Sequence, residues 1–252
     1  QVFITDDVKE IVPEFLMLLH GVIDSPDIPL NVSRSYLQSD SNVKKINTYI
    51  SKKVSEKLQS LFETDRVSYE DKWKEISTFV KYGMISDEKF NEKAMGFALL
   101  KNLDGVHSTL EEYKEKVKAT QTDKHNKLIY LYANDPKAQH SYIKAAKDYG
   151  YDVLEMDTII DNHFMQHIEY KGSEVTFVRV DSDTPDNLVQ KDETKESVLS
   201  QADQDKVKDI FTNNVKNLGL GQIELKPLSP TDHPVTITKP EFMRRMKEMQ
   251  MM

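Results

Sequence analysis

An arginine presented from a constrained loop is suited to meet an anion, because its planar fork donates paired hydrogen bonds to phosphate oxygens. Ser33-Arg34-Ser35-Tyr36-Leu37-Gln38 is such a loop, preceded by Pro26 and Pro29 and followed by a long helical pattern. A second candidate lies at the far end of the chain. Five of the ten methionines fall at Met243, Met246, Met249, Met251 and Met252, with Phe242 beside them. Thioether side chains adapt their shape, so a Met-rich helix face suits varied apolar contacts, although ordinary helix packing accounts for the same spacing. His163 and His167 stand four apart, but with no partnered glutamate and no third ligand they read as surface histidines, and no metal site is expected. The pairs Lys44/Lys45 and Lys52/Lys53 read as solvated helix faces. Neither a Walker pattern nor GxGxxG nor GxSxG occurs, and Gly219-Leu220-Gly221 is too short to cradle phosphate. With no cysteine there can be no disulfide, thiolate zinc site or cysteine nucleophile. A stand-alone enzyme therefore finds no support, since nucleophile, metal set and cofactor loop are all missing.

The elements that must position these residues follow from periodicity. Val2 to Thr5 and Leu19 to Ile23 read as short strands around a helical turn led by Pro13, and a turn-rich loop runs from Asp24 to Gln38. Val43, Ile46, Ile50, Val54, Leu58 and Leu61 recur at spacings of three and four, the mark of an amphipathic helix that Ser41 can cap. Tyr69 to Tyr82 predicts a second helix with Trp73 on its apolar face and Gly83 as its C-cap, and Asp87 to Ala94 a third. Leu128 to Tyr132 reads as a buried strand, Asp135 to Tyr149 as a helix closed by Gly150, and Tyr151 to Met156 as the next strand, a βαβ unit. Helix over Asp161–His167 and strand over Glu174–Val180 follow. Between Asp183 and Asp205 seven acidic residues face two lysines, the composition of a linker. Beyond it Val207 to Val215 predicts helix, Gln222 to Leu225 and Val235 to Ile237 predict strands, and Pro240 opens a terminal helix.

Length and composition set outer bounds. The chain has 252 residues, 30% of them charged, and a net charge of −8, which disfavours a nucleic-acid binder. No apolar run approaches the roughly 20 residues that span a bilayer, and no signal peptide is evident, so the cytoplasm is the expected address and no membrane partner is expected. Glutamine at position 1 reads as the start of a processed or cut piece.

Gly21 to Gln38 reads Gly-Val-Ile-Asp-Ser-Pro-Asp-Ile-Pro-Leu-Asn-Val-Ser-Arg-Ser-Tyr-Leu-Gln, and it closely resembles the ninety-kilodalton heat-shock protein chaperones, their bacterial form above all. Phe79-Val80-Lys81-Tyr82-Gly83 and the βαβ unit are similar to family segments too; the resemblance weakens beyond about residue 180. It implies a homodimer of three-domain chains: an N-terminal domain of the GHKL type that binds ATP with Mg2+, a middle domain that completes the ATPase, and a C-terminal domain that dimerises. This chain would be a fragment holding residues 1–185 as a partial middle domain, 186–200 as an acidic linker and 201–252 as the start of the C-terminal domain. Within the first, 1–40 would end a large α/β unit, 41–120 a helical connector and 121–185 a small α/β unit. The fold class expected is α/β (α+β): sandwich segments joined by helices, with a small C-terminal α+β piece.

The resemblance further implies that Arg34 reaches the ATP γ-phosphate when the domains close and that Gln38 supports the same loop. Ser35-Tyr36 stands where relatives often carry Glu-Met, positions not assigned to phosphate contact. By itself the fragment would bind neither ATP nor Mg2+ and hydrolyse nothing. Phe242, Met246 and Met249 would form an exposed stripe that binds unfolded or partly folded client proteins, and the chain's own N-terminal ATPase domain would be its second partner. The competing expectation is a non-catalytic protein-interaction scaffold in which the Arg34 loop only holds structure.

Overall fold

The computed structural model describes residues 11–17, 21, 41–191, 197, 199–215, 222–227 and 234–250, with side chains throughout except at 41–43 and 247–250. Around Pro13 the chain makes one 3-10 turn, Glu14–Leu16. Three helices follow: α1 (Ser41–Thr64), α2 (Arg66–Ser86) and α3 (Glu88–Ala94). Asp65 and Asp87 each end one helix and cap the next, their carboxylates accepting from the amides of Ser68 and Phe90. Ile50, Val54, Leu58 and Phe62 turn α1 toward the core while Leu61 is exposed. The buried row thus drifts one position from the expected register, as a straight 3.6-residue helix requires over six turns.

Gly83 is no cap. It lies inside α2, where a Cβ would come within 2.8 Å of the rings of both Phe15 and Phe90, so only glycine lets those two rings meet at 4.6 Å. Tyr82 fastens the same turn by donating to Glu14 at 3.0 Å. Ahead of the βαβ unit, a hairpin of β1 (Leu99–Lys101) and β2 (His107–Thr109) interrupts what the sequence reading takes as a helical connector. Helix α4 (Leu110–Val117) then starts on a capping box between Thr109 and Glu112.

A parallel three-stranded sheet is the centre of the molecule, with β3 (Leu128–Ala133) between β4 (Val153–Glu155) and β5 (Val175–Arg179). Every residue of β3 is buried because both faces are covered. Leu128, Tyr130 and Tyr132 join Phe177 and Leu154 in one core with α1 to α4 and α6 (Ile159–Lys171). Ile129, Leu131 and Ala133 join the other, under α5 (His140–Asp148). Period-two alternation along one strand therefore supplies both layers. Gly150 takes φ +78° just past α5, the left-handed conformation that closes a helix onto the next strand. A buried ion pair, Lys81 Nζ to Asp161 at 2.5 Å, ties α2 to α6.

Two expectations change in the second half. The acidic linker is packed at its start: α7 (Pro185–Leu188) carries Leu188 and Val189 into the α5 core, and Gln190 accepts from the Lys124 amide at 2.7 Å. Neither 222–227 nor 234–240 forms a strand, so the expected C-terminal α+β piece consists, among the described residues, of α8 (Gln201–Val215) and α9 (Glu241–Gln250) alone. β-branched residues there match strand composition, but a strand exists only where a neighbouring backbone supplies the ladder. The expected strands at Val2–Thr5 and Leu19–Ile23 lie outside the described residues apart from Gly21. No described helix is long and apolar enough to cross a membrane.

Candidate functional site: the terminal helix

Helix α9 begins after Pro240, whose fixed φ suits the first turn, and opens with Glu241, a negative charge at the positive end of the helix dipole. Its sequence places Glu241, Arg244 and Arg245 on one side and Phe242, Met243 and Met246 on the other. In an ordinary surface helix the second group would be buried. Here the charged side faces the protein and the apolar side faces solvent: Phe242 is 70% exposed, Met243 67% and Met246 44%, whereas Arg244 is only 8% exposed. The amphipathic sense is inverted.

What receives the charged side is the open edge of β5. In the strand order β4-β3-β5 the outer groups of β5 have no neighbouring strand among the described residues, and side chains take that place. Glu169 on α6 accepts from the Phe177 amide at 2.7 Å, Arg245 donates to the Phe177 carbonyl at 2.9 Å, and the Arg179 amide donates to Glu241 at 3.3 Å. Arg245 also grips Glu169 with both terminal nitrogens, Nη1 to Oε2 at 2.8 Å and Nη2 to Oε1 at 3.0 Å, while its Nε reaches Glu241 at 2.8 Å. Arg244 pairs with Glu241 and stacks 5.5 Å from the Tyr132 ring centroid, and the Tyr132 hydroxyl donates to Glu241 at 3.2 Å. Burial pushes the Glu241 carboxyl up, but the guanidinium groups of Arg244 and Arg245 outweigh it and hold the group below its ordinary value. Upstream, the Lys239 amide donates to the Asp181 carbonyl at 2.8 Å, and Tyr142 to the Ile237 carbonyl at 2.6 Å.

Of the residues singled out from sequence, Phe242 and Met246 share one exposed face, and Met243 joins them. The side chain of Met249 lies outside the described ones, and Arg34 and Gln38 lie outside the described residues. His167 engages Asn91 through Nε2 at 3.0 Å, and His163 is exposed. Glu169, Glu241, Arg244 and Arg245 are not among the residues that motif or spacing singles out. The signal was present in the alternation of Arg244-Arg245 with the methionines, but periodicity cannot say which of two faces docks.

A parallel sheet covered by helices, preceded by a helical unit and followed by an amphipathic helix turned outward, defines a class that comparison with known proteins identifies. The sequence model of the Hsp90 protein family matches residues 1–250, and the chain belongs to that family. It is of the bacterial HtpG type: the chaperone protein HtpG of Bacteroides fragilis is 51% identical over 251 residues, and that of Porphyromonas gingivalis 46% over 254, each match covering 99% of this chain. The chain spans 37% of the length of these relatives. Among solved structures, the middle domain of a Plasmodium falciparum heat-shock protein is similar in fold, with a TM-score of 0.52 at 20% identity over 71% of this chain and 69% of that one.

Proposed function

We propose that this chain is the central portion of an ATP-driven molecular chaperone, supplying a charge to ATP hydrolysis at one end and an apolar contact for non-native proteins at the other. In this reading 1–185 belong to the middle domain and 201–252 open the C-terminal domain. ATP and Mg2+ are held by an N-terminal domain, in a homodimer that works in the cytoplasm. Phosphoryl transfer needs charge placed on the phosphate oxygens more than covalent help. Arg34 supplies that charge when the domains close, and Gln38 steadies its loop. Hydrolysis is thereby coupled to closure, because the catalytic set is complete only in the closed state.

The observation that supports the client contact is the inverted helix. An apolar face costs free energy in water, and α9 keeps one exposed while its charges are consumed in docking. Phe242, Met243 and Met246 form a soft, deformable patch suited to partners of many shapes; Met249 extends the stripe by its spacing.

The experiment measures ATP turnover and ATP affinity in the full-length protein with and without Arg34→Ala. A rate loss of about tenfold or more, equivalent to ~1.4 kcal/mol of barrier, with affinity nearly unchanged is the expected result. An unchanged rate removes the catalytic role and leaves the Arg34 loop as scaffold.

A further inference from the structure

The outward face of α9 is a consequence of how its other face is held. Glu169 is the hub. It touches both β5, through the Phe177 amide, and α9, through the paired nitrogens of Arg245. Arg245 in turn touches three elements: α6 through Glu169, β5 through the Phe177 carbonyl, and its own helix through Glu241. Their side chains are about a quarter and a fifth exposed, so the pair is partly desolvated and its planar fork geometry is worth more than that of a surface ion pair. The described apolar side chains of α9 stay largely in solvent, Phe242 at 70%, Met243 at 67% and Met246 at 44%, so the attachment is mainly polar.

We propose that Glu169 and Arg245 form a polar latch that orients α9, seals the edge of β5 with side chains, and thereby sets the Phe242, Met243 and Met246 face toward solvent. They are positioning residues for client contact, which they reach only through the orientation of the helix. The latch rests on the client-contact reading for its purpose but not for its existence. Because the attachment is charge on charge and hydrogen bond on edge group, it is reversible in a way that an apolar dock is not. With α9 released, the Phe177 carbonyl and the Arg179 amide lose their side-chain partners, and an edge strand in that state is open to pairing with an extended chain.

The test uses the full-length protein with one cysteine, introduced by Met243→Cys and spin-labelled; this chain has none of its own, and any outside it is replaced by serine. Glu169→Gln keeps an acceptor for the Phe177 amide and removes only the charge; Arg245→Met keeps the aliphatic stem. Each is expected to mobilise the label, with the released fraction rising by about tenfold or more. The double variant is expected to show no more release than either single, since two residues that act through each other do not add. Arg245→Lys, which keeps the charge and loses the fork, is expected to fall between. Label mobility unchanged in both singles, or fully additive release in the double, overturns the latch. Unlabelled proteins are then compared for suppression of aggregation of a thermally unfolded client. Latch variants retain Phe242, Met243 and Met246, so a loss there matching the label release ties orientation to capture. If Phe242→Ser with Met246→Ser leaves suppression intact while the label results hold, the client reading fails and the latch stands.

Discussion

Helix α2 turns Tyr69, Trp73, Val80 and Met84 into the core and leaves Asp71, Lys72, Lys74 and Glu75 in water, whereas α9 turns Glu241, Arg244 and Arg245 inward and leaves Phe242, Met243 and Met246 in water. Both are amphipathic, and both dock against the same sheet-centred body. The first attachment is hydrophobic: it grows with buried apolar area, tolerates salt and cannot be undone without opening the core. The second is polar: it needs particular geometries, gives modest net free energy because both partners were well solvated beforehand, and leaves the apolar face free. The two helices thus differ in which side faces in, apolar for α2 and charged for α9.

The contrast can be broken or sharpened by substitution. The largest effect belongs to the α2 side: Trp73→Ala is expected to destabilise by about 3–5 kcal/mol, read as a shift of the denaturant midpoint. A cost under about 1 kcal/mol would mean that α2 is not held by its apolar row. Next comes Gly83→Ala, which forces the Phe15 and Phe90 rings apart and is expected to cost about 1–3 kcal/mol, with partial recovery when Phe15→Leu is added.

Acid probes the charged contacts. Hydrogen bonding to Arg66, whose two terminal nitrogens each reach the carboxylate at 2.8 Å, holds Glu112 at about 2, below its ordinary 4.5. The folded value is the lower one, so this stabilisation is fully present above pH 4.5 and is lost as pH falls toward about 2. The Glu112 side chain is 50% exposed, so solvent screening limits the contribution to about 0.5–1 kcal/mol. Unfolding curves of the parent and Glu112→Gln measured at several pH values should differ at neutrality and converge at the acid end. Glu241 obeys the same sign: docking of α9 is present above the ordinary carboxylate range and weakens below it.

The smallest effect is the most telling. Phe242→Ser and Met246→Ser, singly or together, should cost no more than about 1 kcal/mol of global stability, because Phe242 is 70% and Met246 44% exposed and little apolar burial is lost. A large destabilisation would show that the face is covered in solution and would erase the contrast with α2.

How much of this was legible in sequence varied with the kind of signal. The βαβ unit was clear because β3 is an unbroken apolar run, and only a strand covered on both faces can be so. Trp73 at helical spacing was rightly placed in the core. Gly83 was misread as a cap: a glycine near the end of an apolar pattern looks the same whether it ends the helix or admits two aromatic rings. The 222–225 and 235–237 segments carry strand-like residues without a strand, since pairing depends on what lies alongside. Leu188 and Val189 were lost in an acidic stretch whose average composition hid two buried side chains.

By itself, then, the sequence determined the long helices, the parallel sheet, the family and the two faces of α9, because these depend on local periodicity and on a motif read residue by residue. Tertiary structure alone decided which face of α9 turns inward. That choice rests on Glu169, the Phe177 carbonyl and the Arg179 amide, groups 60 or more positions away in the chain that meet Glu241 and Arg245 only once β5 has become an open edge. No local pattern encodes such a meeting, because the free energy of pairing a guanidinium with a distant carboxylate depends on the geometry the rest of the fold imposes.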